Sequence, residues 1–277
     1  MYHKQVANNS CHRCIRSVQV GFGIRNTQGG NRFYARHGAH ASLLGQMVKD
    51  ARSAVDVLLC RSTLRHSPSC YDAQGGQPSR IPYVVCFASH SRAYIHTYIH
   101  TYRRHPMLSY RSLSPLTRPP NHPPTQSQDP DRIYVMGYAL GGMVGLHVAA
   151  LDTRVAGVAS FSGFTPFRSD TADKPTGGLR RLSELHALIP RIGLFVDEPS
   201  LVPYDYDELL RALGSRPVLL YTAVGDRDAT FTEVQACIDG VRGNLPNLTH
   251  VISNDTRTRM ELPQSTCAVE WLKKVAF

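Results

Sequence analysis

Asp131-Arg-Ile-Tyr-Val-Met-Gly-Tyr-Ala-Leu-Gly-Gly142, running on into Met143-Val-Gly-Leu-His-Val-Ala-Ala150, decides the fold of this chain. Ile133 to Met136 is a short apolar strand that enters a glycine-rich turn. The turn then opens a run of small and aliphatic residues with helical character. Strand, tight turn and helix in that order are the setting of a nucleophile elbow, whose usual pattern is G-x-S-x-G. Gly137 and Gly141 occupy the flanking positions, where close packing of helix on strand leaves no room for a side chain. The central position is Ala139. A methyl group stands where a hydroxyl is expected, and it has no nucleophilic chemistry.

Downstream of the elbow the text stays orderly. Arg154 to Phe161 reads as a buried strand, since near-continuous apolar runs suit a parallel sheet covered on both faces. A long loop from Ser162 to Gly178 follows the end of that strand, on the side where such sheets bind ligands. Leu179 to Leu188 and Tyr204 to Leu213 read as helices, with Pro190 to Phe195 between them, and residues 163–213 together read as a cap. Arg216 to Asp228 is a strand that delivers acids into a loop. Thr230 to Val241 is a helix and Leu248 to Ser253 the last strand. Gln264 to Val275 is a closing amphipathic helix that packs Trp271 and Leu272 on the sheet.

Upstream the reading is less regular. Residues 1–19 form an irregular tail, and residues 20–83 the first part of the domain. Val18 to Arg25 reads as the end of a strand entering a glycine loop. Leu43, Met47, Ala51, Val55 and Leu58 recur at helical spacing within Ser42 to Leu59, as plain core packing requires. Ile81 to Phe87 reads as a strand that Pro82 places at an edge or a strand start. Residues 84–128 read as a low-complexity, disordered insertion. Tyr94-Ile-His-Thr-Tyr-Ile-His-Thr-Tyr102 is what a repeated TACA tetranucleotide would encode, and Leu108 to Pro130 is rich in Ser, Pro, Arg and Thr. A translated intron gives such a segment, and excising it joins Ile81-Pro-Tyr to Asp129. Residues 129–277 are the C-terminal core.

Composition excludes several classes. Of the 277 residues 42% are hydrophobic, enough for a core, but no run approaches the ~18 apolar residues of a membrane helix. The first ten residues lack the apolar stretch of a secretory signal. The net charge of +10 is uneven: residues 1–130 carry 16 Lys and Arg against 4 Asp and Glu, residues 131–277 carry 15 against 17. The basic excess is dispersed and joins no nucleic-acid motif, so neither a nucleic acid nor a membrane is an expected partner. Seven cysteines without regular spacing do not make a disulfide framework. Cys11-His-Arg-Cys14 has no second ligand pair, and His90, His96, His100 and His105 have no supporting carboxylate, so no metal is expected. No phosphate loop or dinucleotide fingerprint is present, and no cofactor is implied.

The elbow and the elements after it resemble the α/β-hydrolase superfamily, nearest its dienelactone-hydrolase and acetyl-xylan-esterase-like branch. The resemblance is good over 129–277, fair over roughly Val20 to Leu59, and absent elsewhere. It implies an α/β fold, a mostly parallel sheet with helices on both faces, here with incomplete N-terminal strands. It also implies a hydrolase acting on an ester-like small molecule, with the triad order nucleophile, acid, histidine. Asp226 matches the acid position, with Asp228 second to it. The histidine belongs in the loop Asn254 to Leu262, where Arg259 or Met260 stands instead, and arginine stays protonated at neutral pH. His250 falls inside the last strand, His147 on the helix behind the elbow and His186 in the cap. Ser160 and Ser162 stand at the end of the neighbouring strand without an elbow. With serine and histidine both replaced, the resemblance implies an impaired hydrolase. A non-catalytic binding protein and a truncated, mis-spliced product without function are the alternatives. Oligomeric state and compartment leave no mark in the sequence.

Overall fold

The computed structural model describes residues 13–18, 29–38, 40–63, 81–88, 128–185, 187–227, 229–254 and 262–276. Six strands form one sheet: β1 (Arg13–Val18), β2 (Ile81–Ala88), β3 (Gln128–Tyr138), β4 (Val155–Phe161), β5 (Val218–Ala223) and β6 (Leu248–Ser253). They lie side by side in chain order, and every adjacent pair is parallel. Parallel neighbours need crossovers, which the described helices supply for every pair but β2 and β3. These are α1 (Gly29–His37) and α2 (Leu43–Thr63), α3 (Leu140–Leu151), the short α4 (Gly178–Arg180) and α5 (Tyr206–Arg211), and α6 (Phe231–Val241). After the last strand α7 (Leu262–Ala276) follows.

Side-chain alternation divides the core into two layers. Ile133 and Val135 of β3, with Val218 and Leu220 of β5, face α2, α3, α5 and α6. Tyr134, Met136 and Tyr138, with Leu219 and Tyr221, face α7. There Trp271 meets the Tyr134 ring edge-on at 6.0 Å, and the Tyr134 hydroxyl donates to the Val275 carbonyl at 2.9 Å. Sheet and helices on both faces confirm the expected α/β class. The helical spacing within 42–59 is also confirmed, since Leu43, Met47, Ala51, Val55 and Leu58 are all buried.

Below the sheet, at the starts of β4 and β5, Asp152 gathers the chain. Its carboxylate takes Arg154 at 2.6 Å and Arg52 of α2 at 3.4 Å. Arg216 donates to the Asp152 and Val155 carbonyls at 3.3 and 3.0 Å. Hydrogen bonds from Arg154 hold the Asp152 carboxyl below its ordinary range against the opposing effect of burial.

The 163–213 segment is built into the helical layer. Phe164, Phe167, Leu179, Leu182, Leu188, Ile192 and Val202 join the core that also holds α2 and α3. Two buried carboxylates fix it. Asp170 accepts the N–H groups of Thr176, Gly177 and Leu179 at 2.8, 3.0 and 2.7 Å. Asp205 accepts those of Phe167, Arg168 and Tyr206 at 2.9, 2.8 and 2.7 Å. The helix expected over Leu179 to Leu188 is broken: α4 passes into a π-type turn at Arg181–Leu185, and Ala187 takes a positive φ of 45°.

Two boundaries expected from the sequence move. The tail assigned to 1–19 contains β1, which pairs residue for residue with β2 from Arg13 opposite Tyr83 to Val18 opposite Ala88. The insertion assigned to 84–128 begins too early, because β2 runs to Ala88 with Val84 and Val85 buried. This strand is interior, between β1 and β3, with Pro82 at its start, where the missing N–H costs least. Excision from Val84 would therefore remove most of a strand from the sheet. Gln128 likewise belongs to β3. Residues 89–127, with the Tyr-Ile-His-Thr repeat, lie outside the described residues.

Candidate functional site

The turn between β3 and α3 is strained at the position expected for a nucleophile. Ala139 sits at φ 50° and ψ −122°, a region that side chains rarely occupy, between the end of β3 and the start of α3. Its N–H donates to the Phe161 carbonyl at 2.8 Å and its carbonyl accepts the Met143 N–H at 3.0 Å, so the turn is held from both sides. Gly137 is obligatory: a Cβ there would stand 2.1 Å from the Gly141 carbonyl oxygen. Gly142 and Gly163 make room for a different group, the Ser160 hydroxyl of β4. A Cβ at either would come within 2.6 or 2.0 Å of its Oγ. The sequence singles out Gly137 and Gly141 but gives no sign that Gly142 is shaped by Ser160.

Beside the elbow, at the C-terminal ends of β4 and β5, a cavity of about 10 Å³ is lined by Ser160, Ser162, Thr222 and Asp226 with Phe164 and Val234. That volume suits roughly one water molecule. Ser160 is 2% exposed, and its Oγ has no hydrogen-bond partner among the described residues. Ser162 holds a positive φ of 46°, with its N–H bonded to the Tyr221 carbonyl at 2.8 Å. The structure thus brings Asp226, Ser160 and Ser162 to one place and adds Thr222. Ala139 is not in this lining. Its strand β3 is separated from Asp226 and β5 by β4.

Two of the histidines singled out from the sequence, His147 and His250, lie among the described residues. His147 is 5% exposed inside the helical layer. Its Nδ1 is 2.8 Å from the Met143 carbonyl, which can only accept, so Nδ1 carries the proton. Its Nε2 then accepts from the Tyr204 hydroxyl at 3.2 Å. Burial holds this imidazole below its ordinary pKa, against the Met143 carbonyl, which raises it. It ties α3 to the 163–213 segment and faces away from the cavity lining.

His250 is a strand residue, as expected. Its Nε2 is 3.0 Å from Thr222 Oγ1, and its Nδ1 is 3.5 Å from an Arg242 nitrogen. Burial and the Arg242 charge both lower the His250 pKa, with Asp239 opposing. Arg259, Asp228 and His186 lie outside the described residues. No group of three or more His, Cys, Asp or Glu suited to a metal occurs among the described residues. No described helix is long and apolar enough to cross a membrane.

Fold and site together define a parallel α/β domain with a strained turn at Ala139 between β3 and α3. No family profile and no curated protein matches the sequence. Among solved structures the chain is similar to a family 15 carbohydrate esterase, a glucuronoyl esterase from Caldicellulosiruptor kristjansonii. The identity is 15% and the TM-score 0.43, over 53% of this chain and 44% of that one. It is similar to a promiscuous esterase of the same family from a marine bacterial metagenome, at 19% and 0.45 over 55% and 44%. It is also similar to acetyl xylan esterase 1 from Thermoanaerobacterium, at 19% and 0.38 over 55% and 48%. The chain thus spans about half the length of the solved structures it matches. The likeness is one of backbone over part of each chain and bears on no activity.

Proposed function

We propose that this chain is an α/β-hydrolase scaffold that does not carry out serine-ester hydrolysis. The observation that carries the reading is Ala139 at the apex of a turn whose strained backbone is kept while its reagent is gone. Acyl transfer needs a hydroxyl to attack, an imidazole to take its proton and a carboxylate to orient the imidazole. Asp226 stands at the position of the carboxylate. Loss of the nucleophile alone leaves only residual catalysis from binding and oxyanion contacts. Thr222 and His250, 3.0 Å apart, do not stand in the place of the lost pair, because they lie on β5 and β6 and not on the elbow. A small ester-like molecule is the ligand class that the resemblance to esterase-like hydrolases implies, held without covalent chemistry.

The test uses the full chain with p-nitrophenyl acetate and a fluorophosphonate probe. Neither saturable turnover nor labelling is expected. Saturable turnover that is lost in Asp226→Asn, or stoichiometric labelling of Ser160, Ser162 or Thr222, would overturn the proposal.

A further inference from the structure

The two edges of the sheet are unlike. On β1 the sequence Arg-Cys-Ile-Arg-Ser-Val places two arginines, Arg13 and Arg16, in six residues. Charged residues on an edge strand discourage another chain from pairing there. The opposite edge, β6, reads Leu-Thr-His-Val-Ile-Ser: no Lys, Arg, Asp, Glu or Pro, and no break in its register with β5. No described strand lies beyond it. In a parallel pair, alternate residues direct both N–H and C=O away from the partner, so β6 offers an outward row of donors and acceptors. Beside that row Ile252 is 50% exposed and Val224, just past the end of β5, is 44% exposed. Val224 is held against β6 by its N–H bond to the Ser253 carbonyl at 2.8 Å.

We propose that β6 is the interface for a second copy of this chain, paired antiparallel across a two-fold axis normal to the sheet. Such an axis sets the outward row of one β6 against the same row of its partner, so each donor meets an acceptor whatever the side chains are. Charge permits the approach. The half of the chain that carries β6 holds 15 Lys and Arg against 17 Asp and Glu, whereas the strongly basic half carries the arginine-bearing edge. Beside His250 of β6, with Arg242 3.5 Å from its ring, is the exposed pair Arg242–Asp239 at the end of α6, 3.4 Å apart. A patch with one charge of each sign is complementary to its own two-fold image. The product is one continuous sheet with the α6 helices on the same face. This inference is independent of whether Ala139 disables catalysis.

Sedimentation of the full chain across a dilution series is the test, with amide exchange read over 248–253. The expected mass is twice the 30.7 kDa of the chain, falling to the single mass on dilution, with β6 amides exchanging more slowly in the heavier form. Ile252→Lys and Val224→Lys are expected to give the single mass while keeping the wild-type melting curve. Leu194→Lys, on a distant exposed leucine, is expected to keep the double mass. Should a lysine variant unfold, the exchange pattern of the wild type decides. A single mass at every concentration, loss of the double mass in Leu194→Lys, or protection that appears away from β6 would each overturn the proposal.

Discussion

Replacing Ala139 with glycine tests the elbow by the sign of its effect. An alanine held at φ 50° and ψ −122° stores strain that glycine does not feel. Strain of this kind amounts to about 1–3 kcal/mol. Against it, glycine gains about 0.4–1 kcal/mol of freedom in the unfolded chain. The half-buried methyl, at ~0.8 kcal/mol for a fully buried carbon, loses roughly half of that. From the middle of these ranges, Ala139→Gly should stabilise the domain by about 1 kcal/mol, or some 2–4 °C in melting temperature for a domain of roughly this size. The same exchange at Ala149, buried in α3, has no strain to release. There it should destabilise by roughly 1–2 kcal/mol, from helix propensity and the lost methyl. Chemical denaturation of both variants against the parent is the assay. If Ala139→Gly loses stability as Ala149→Gly does, the elbow is not strained and the proposal of a retained elbow backbone fails.

Two further perturbations probe the packing around the site. Gly142→Ala should cost about 1–3 kcal/mol by driving a methyl into the Ser160 hydroxyl, and the double variant with Ser160→Ala should recover part of it, as a double-mutant cycle in urea would show. Ser160→Ala alone should be neutral or stabilising, since its hydroxyl has no partner among the described residues. For His147 the folded pKa lies below the unfolded one, so the unfolded chain binds the proton first. Its contribution is complete above the ordinary imidazole range and is lost as pH falls through the folded value. His147→Gln should flatten that acid loss, and a melt series showing the same slope in both proteins would refute the assignment.

The central and C-terminal strands were legible because each is an apolar run followed by a turn signal. Ile133 to Met136 and Val218 to Ala223 declare themselves without help from the rest of the chain. Strand β1 does not: Arg13, Arg16 and Ser17 interrupt its apolar residues, and a short edge strand needs only one packed face. The end of β2 was masked for another reason. Val84 to Ala88 runs straight into biased sequence, and nothing local separates strand from insertion. At the site, Asp226, Ser160 and Ser162 were legible as residues following parallel strands. The contact between His250 and Thr222 was not. It joins residues 28 positions apart, on neighbouring strands.

Strictly sequential strand order has a consequence for biosynthesis. Each strand of the sheet docks on the edge left by its immediate predecessor, so assembly can keep pace with translation. The two faces mature at different times, however. The helices on the α3 side are laid down between strands, but the opposite face waits for α7, the last described helix to be made. Until then Tyr134, Met136, Phe161, Leu219 and Tyr221 form an uncovered apolar surface on the nascent chain. Ribosome-stalled chains ending before Leu262 should therefore bind a hydrophobic dye and a holdase chaperone, and release both once Trp271 and Leu272 have emerged.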